Sequence, residues 1–245
     1  MTLPKPAAAS RPGGHPIWWG RLLYDLLWVL CRTLAVSLLG FRLGRAESLP
    51  RSGGLLVLSS HQSHLDPLLL GLATDRRLAS LARSSLFQFG PFGRVITALD
   101  AIPINREAST VQAMKTVISR LKSGAAVIVF PEGTRTSNGK LGEIKSGFAL
   151  LAKRAGVPIA PVAIVGGYEC WPRSRLLPRP GRVRLEFGPV ITADEVAALD
   201  ERQLVARCTT ALMSLDRQAR RLRSGCASCA DDTAPGIALD SRGEG

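Results

Sequence analysis

At 245 residues, 46% of them hydrophobic, the chain is long enough for one domain with a sizeable core and too apolar to be disordered throughout. A net charge of +13, with only six lysines among 32 basic residues, points to a polyanionic partner: nucleic acid, an anionic membrane surface or phosphorylated substrates. Five cysteines (Cys31, Cys170, Cys208, Cys226, Cys229) are an odd number with no plausible disulfide framework, which fits a reducing compartment.

Residues 1–16 are rich in Pro, Ala and Gly and read as disordered. Residues 17–45 begin with Ile17-Trp18-Trp19 and stay apolar to Phe41. Asp25 and Arg32 interrupt the run, which argues against a secretory signal. Charges near the centre of a spanning helix would each cost about 2.5–3.5 kcal/mol, which argues against a membrane crossing. At about 100° per residue, Arg21, Asp25 and Arg32 fall within about 40° of one another on a helix. The expectation is an amphipathic, membrane-associating helical segment lying in the interface; packing on the protein's own core is the alternative.

Residues 46–223 read as the main folded domain. Leu55-Leu56-Val57-Leu58 reads as a buried strand of a parallel sheet, and Leu65–Ala73 as a helix. Strands follow at Arg77–Ala82, Ala101–Ile104, Ala125–Phe130, Ile159–Val165 and Val183–Phe187. Helices alternate with them at Thr110–Leu121 and Gly147–Arg154, with a short helix or turn at Phe92–Thr97. This rhythm predicts an α/β fold with a largely parallel β-sheet covered by helices. Trp171–Arg184 breaks the rhythm with prolines and arginines, and suits either an anionic membrane surface or a solvated loop. Thr192-Ala193-Asp194-Glu195 has capping-box spacing and opens a helix running to about Arg223 with a basic end. Residues 224–245 read as a disordered tail; Cys226 and Cys229 lack the second pair or histidine that a zinc site needs.

The chemistry concentrates at strand ends. Between the first strand and its helix stand His61-Gln62-Ser63-His64-Leu65-Asp66-Pro67. A histidine there can take a proton from a hydroxyl, and a carboxylate five residues on can hold its other ring nitrogen if the chain bends. Spacing alone leaves this base–carboxylate pair open against a simple helix cap at Asp66. Phe130-Pro131-Glu132-Gly133-Thr134-Arg135 follows another strand, with a glycine permitting close approach and a forked cation. Ile102-Pro103-Ile104-Asn105-Arg106 brings another arginine to a strand end, and Lys145-Ser146-Gly147 a cation to a helix start.

Taken in order, these blocks resemble the glycerolipid acyltransferase family typified by 1-acylglycerol-3-phosphate O-acyltransferases. The His-x4-Asp motif is His61 to Asp66, with Ser63 a common family choice; the second block is Asp100–Arg106, the third Phe130–Arg135 and the fourth Val157–Val162. The resemblance implies that His61 is the general base on the acceptor hydroxyl, with Asp66 orienting it. It implies substrate binding by Ser63, Arg106, Glu132, Gly133, Thr134, Arg135 and Lys145, with Pro161 near the acyl site. No metal or prosthetic group is implied; the co-substrate is an acyl-CoA or acyl carrier protein thioester. The expected partners are a lysophospholipid acceptor, the thioester donor and an anionic membrane surface, at the cytoplasmic face of a membrane. Asp100, where the family has glycine, and Ile144, where it often has Phe, depart from the pattern and bear on which acceptor is used. The expected product is phosphatidic acid. The alternatives are another lysolipid acceptor, or a non-catalytic basic lipid-binding protein. A nucleic-acid partner is not expected, since the chain has no recognisable module and few aromatics for stacking.

Overall fold

A computed structural model of the chain describes residues 29, 32–33, 35–44, 49–88, 90, 101–104, 110–175 and 177–224. Most of the 17–41 segment, the expected turn at 92–97, Asp100, Arg106 and the Cys226/Cys229 pair lie outside the described residues.

Among the described residues, the apolar runs become strands β1 (Arg42–Leu43), β2 (Leu55–Ser59), β3 (Leu78–Arg83), β4 (Ile102–Ile104), β5 (Ala126–Val129), β6 (Ile159–Val165) and β7 (Arg184–Phe187). They form one sheet in the order β1-β7-β6-β2-β5-β3-β4. Neighbours are parallel except β6 and β7, which pair antiparallel. β2 is therefore central, with a parallel strand on each side. Leu55, Leu56, Val57 and Leu58 are all fully buried, as expected for a strand covered on both faces. At about 1.5–3 kcal/mol per buried aliphatic side chain, β2 is a firm base for the turn that follows it.

The sheet is covered by helices α1 (Asp66–Leu72), α2 (Thr110–Lys122), α3 (Gly147–Ala155), α4 (Gly167–Cys170), α5 (Ala193–Ala198) and α6 (Glu201–Ser224). Alternation along β2 splits the core in two. Leu55 and Val57 meet Leu69, Leu70 and Leu72 of α1 together with Ala35 and Leu39. Leu56 and Leu58 meet Leu121 of α2, Phe148 of α3, and Leu204, Cys208 and Leu212 of α6. Residues 35–39 are helical, and Ala35 and Leu39 pack on this core. Arg32 also turns inward: it donates to the Leu72 carbonyl at 2.9 Å, satisfying the C-terminal end of α1.

One helix differs from expectation. The helix expected from Thr192 to about Arg223 is two helices. The Thr192–Glu195 capping box forms, but Leu199 turns extended and Asp200 starts a second box. Asp200 Oδ1 accepts the Gln203 N–H at 2.8 Å, and Gln203 Oε1 accepts the Asp200 N–H at 2.9 Å. Asp-x-x-Gln competes with continuation of the helix because the side chains satisfy the same backbone groups. Pro161 lies inside β6, where the missing N–H should be costly. Its neighbourhood explains the tolerance. Val162 pairs with Phe187, whereas Ile159 bridges Ile191, so one extra residue is accommodated opposite Pro161.

At the amino-terminal edge of the sheet, Arg76 ties three loops together. Its guanidinium donates to the carbonyls of Pro50 (2.5 Å), Gly53 (2.6 Å) and Gly124 (3.2 Å). Arg76→Ala should lower the unfolding free energy by about 2–3 kcal/mol in a urea titration, because charge-assisted bonds to partly buried carbonyls are lost. The polar blocks after β2 and β5 lie at the opposite edge and should keep their arrangement in the folded variant.

Candidate active site

β2, β4, β5 and β6 run in the same direction, so their carboxyl ends share one edge. The end of β4, from which the chain runs on to Arg106, is three strands from β2, or about 14 Å at about 4.8 Å per strand. The turn after β2 is fastened first. Ser60 Oγ accepts the Ile164 N–H at 2.9 Å and donates to the Ile164 carbonyl at 3.3 Å, joining the turn to β6.

The turn then wraps around Asp66, which is wholly buried. One oxygen, Oδ2, accepts the backbone N–H groups of Gln62 (2.6 Å) and Ser63 (2.7 Å) and the ring Nδ1 of His61 (2.8 Å). This settles the helix-cap alternative. Asp66 is the first residue of α1, no side-chain cap bond is made, and the carboxylate points back into the preceding turn. The five-residue spacing works because the intervening amides are the carboxylate's own ligands. A carboxylate oxygen that already takes two N–H bonds is an acceptor for the ring Nδ1–H, which leaves Nε2 as the ring atom turned away from Asp66. The His61 side chain is 19% exposed. Its ring stacks on Phe130, with centroids 3.9 Å apart and planes at 13°.

The block after β5 holds His61 by its backbone. Glu132 Oε1 accepts the His61 N–H at 2.7 Å, and Thr136 N–H donates to the His61 carbonyl at 2.9 Å. The other Glu132 oxygen accepts the Gly142 N–H at 2.8 Å. Burial pushes the Glu132 carboxyl above the ordinary range, against the pull of those two N–H bonds. Glu132, expected among the substrate-binding residues, is thus buried and engaged at both oxygens. Ser63 is similar: it is fully buried, donates to the Trp171 carbonyl at 2.9 Å and accepts the Leu65 N–H at 3.2 Å. Both residues brace the turn.

Gly133, Thr134 and Lys145 are exposed at the same edge. Gly133 has φ +72°, and a Cβ there would lie 3.2 Å from Lys145 Nζ, so the ammonium rests against the glycine. Arg135 is half-buried and electrostatically coupled to His64. His64 is held below its ordinary value by burial, with Arg135 and His61 adding to the effect and Asp66 opposing it. Its ring tilts against Trp171 at 5.3 Å. Ile144 packs against the α2–α3 side of the core, and Pro161 is buried within β6. Among the described residues, no group of three His, Cys, Asp or Glu side chains is arranged to hold a metal.

Sequence reasoning passed over a second layer. Gln62 Nε2 donates to the Gly139 carbonyl at 3.0 Å, and its Oε1 accepts the Tyr168 N–H at 3.3 Å. Arg220 of α6, paired with Asp216, donates to the same Gly139 carbonyl at 2.6 Å. Gly167 packs on the Asp66 carboxylate so closely that a Cβ would sit 3.0 Å from Oδ1. These contacts join residues far apart in sequence, so no local spacing announces them.

Comparison with known proteins shows the family. A family model described as Acyltransferase matches residues 41–165, half of the chain. The chain belongs to the acyltransferase family. A relative described as 1-acyl-sn-glycerol-3-phosphate acyltransferase from Bacillus subtilis (strain 168) is 29% identical over 174 residues, 71% of this chain and 84% of that one. The chloroplastic 1-acyl-sn-glycerol-3-phosphate acyltransferase BAT2 of Brassica napus is 33% identical over 129 residues, 51% of this chain. The match spans only 37% of the Brassica protein. The crystal structure of the 1-acyl-sn-glycerophosphate (LPA) acyltransferase PlsC from Thermotoga maritima superposes with a TM-score of 0.69 at 26% identity. It covers 83% of this acyltransferase and 79% of the Thermotoga chain.

Proposed function

We propose that this acyltransferase moves a fatty acyl group from a thioester to the free hydroxyl of 1-acylglycerol-3-phosphate, giving phosphatidic acid. The observation that carries the reading is the His61–Asp66 pair, which among the described residues has no protein nucleophile beside it. His61 Nδ1 is bound to the carboxylate at 2.8 Å, while the neighbouring Ser63 hydroxyl is committed to the Trp171 carbonyl. The hydroxyl to be activated therefore comes from the substrate.

In this mechanism His61 Nε2 takes the proton of the acceptor hydroxyl as its oxygen attacks the thioester carbonyl carbon. Asp66 stabilises the imidazolium that forms. Collapse of the tetrahedral intermediate breaks the C–S bond, and the departing thiolate recovers the proton from His61. No acyl-enzyme is formed. Arg106, Arg135 and Lys145, with the backbone at Gly133 and Thr134, hold the acceptor's phosphate and glycerol. The donor is acyl-CoA or acyl carrier protein. We place the enzyme on the cytoplasmic face of a membrane, where its acceptor resides, with exposed Val36 and Leu38 beside the buried Ala35 and Leu39 as part of the contact.

The test presents purified enzyme with acyl-CoA or acyl carrier protein thioester and a panel of lysolipids. Free thiol and lipid product are followed together. The expected result is thiol release matched by phosphatidic acid, and only with the 1-acylglycerol-3-phosphate acceptor. Product from another lysolipid at a higher rate would reassign the acceptor, and no thiol release with either donor would overturn the reading.

A further inference from the structure

The basic loop between α4 and β7 is attached to two functional regions at once. Its far end is joined to the N-terminal helical residues. Gly181 N–H donates to the Leu38 carbonyl at 3.0 Å, Val183 N–H to the Leu39 carbonyl at 2.8 Å, and Arg42 N–H to the Val183 carbonyl at 2.9 Å. At this junction Val36 and Leu38 are about half exposed, and Leu177 in the loop is 73% exposed. Arg173, Arg175, Arg179 and Arg182 are exposed along the same loop, and no acidic residue occurs between Cys170 and Leu185. The loop's near end is joined to the catalytic turn. The Trp171 carbonyl accepts the Ser63 hydroxyl, the Trp171 ring lies against His64, and its Nε1 donates to the Arg175 carbonyl at 3.0 Å. From beneath, Arg223 of α6 binds the Arg182 carbonyl (2.8 Å) and Glu169 (2.7 Å). The loop is thus a built surface.

We propose that Arg173, Arg175, Arg179 and Arg182 of this loop form the docking surface for an anionic phospholipid bilayer, working with the apolar side chains of Val36, Leu38 and Leu177. The inference rests on the membrane placement proposed above and assigns its electrostatic half to specific residues. An acidic protein would match the charge equally well, but three exposed aliphatic side chains among the arginines suit an interface with headgroup phosphates outside and acyl chains within. Docking there would also set the catalytic turn near the bilayer surface, through Trp171 and Ser63, where a lysolipid hydroxyl lies.

The full chain is tested by co-sedimentation with vesicles of phosphatidylcholine alone and of phosphatidylcholine mixed with phosphatidylglycerol. Wild type should favour the mixed vesicles and be released by salt. Arg173→Glu/Arg175→Glu should lower partitioning onto mixed vesicles by about 25-fold or more, at about fivefold for each arginine. Binding to neutral vesicles, and acyl transfer to a short-chain acceptor dissolved without vesicles, should stay at wild-type level. Undiminished binding of the variant to mixed vesicles would overturn the proposal. So would a variant that still binds them but loses transfer from acyl carrier protein alone, since the loop would then serve a protein donor. Vesicle binding is read without turnover, so failure of the acyl-transfer reading leaves this result decisive.

Discussion

Replacing Asp66 with asparagine is expected to lower kcat by about 10³–10⁴-fold while leaving the protein folded. Asp66 Oδ2 accepts three donors. The amide oxygen of the introduced asparagine can take that place and keep the backbone turn, which would put its amide nitrogen at the position of Oδ1. That oxygen is buried and has no hydrogen-bond partner among the described residues. What asparagine cannot supply is the negative charge that, in the proposed mechanism, stabilises the His61 imidazolium during transfer. Steady-state kinetics with saturating donor and acceptor would show the loss in kcat, with the acceptor KM nearly constant because the phosphate site is untouched. A fall of less than tenfold would show that His61 does not depend on Asp66 and would remove the basis of the mechanism.

Glu132→Ala should have the second-largest effect, on stability and activity together. The substitution leaves the N–H groups of His61 and Gly142 without their acceptor. His61 is only half-buried and Gly142 is exposed, so water can reach part of what is lost, and the expected cost is about 1–2 kcal/mol, partly offset by no longer burying a carboxylate. His61 then loses one of its two backbone anchors, and kcat should fall about 10²-fold, as expected for a general base displaced from its geometry. The pH dependence carries a definite sign. Burial raises the Glu132 carboxyl above its ordinary value of 4.5, so the folded chain binds that proton more tightly than the unfolded chain. The contribution of Glu132 to stability is therefore fullest below pH about 4.5 and is lost as pH rises through the raised value. Urea titrations of both proteins across this range should show their stability gap narrowing as pH rises. A gap that widens instead would mean that the two N–H bonds outweigh burial.

Much of this arrangement is legible in the linear chain for a physical reason. Leu55–Leu58 is a run of large aliphatic residues too short for a helix core and bounded by Gly53-Gly54 and Ser59-Ser60, so a buried parallel strand is the economical reading. Polar blocks following several such runs fall at carboxyl ends, and parallel strands bring those ends to one edge. His61, Asp66 and the Phe130–Arg135 block converge on that basis alone. The divided helix after Thr192 is legible too, in Asp200 and Gln203, but the longer apolar period conceals the second box.

What local pattern does not carry is direction. A sequence places Glu132 near the site but not whether its carboxylate faces a substrate or the His61 N–H; the choice depends on Gly142 arriving from the other side. Gln62 and Arg220 meet at one carbonyl across more than 150 residues of chain, and the arginine loop meets Leu38 and Leu39 through backbone bonds that any residue types make. Local pattern in the chain thus dictates the sheet, the His61–Asp66 pairing and the family. Three-dimensional packing selects which polar residues brace the turn and which remain exposed, and it sets the basic loop on one rim with the N-terminal apolar residues. Spacing reports contacts made within a turn or a helix, whereas these contacts close loops of tens to hundreds of residues, and packing alone chooses among them.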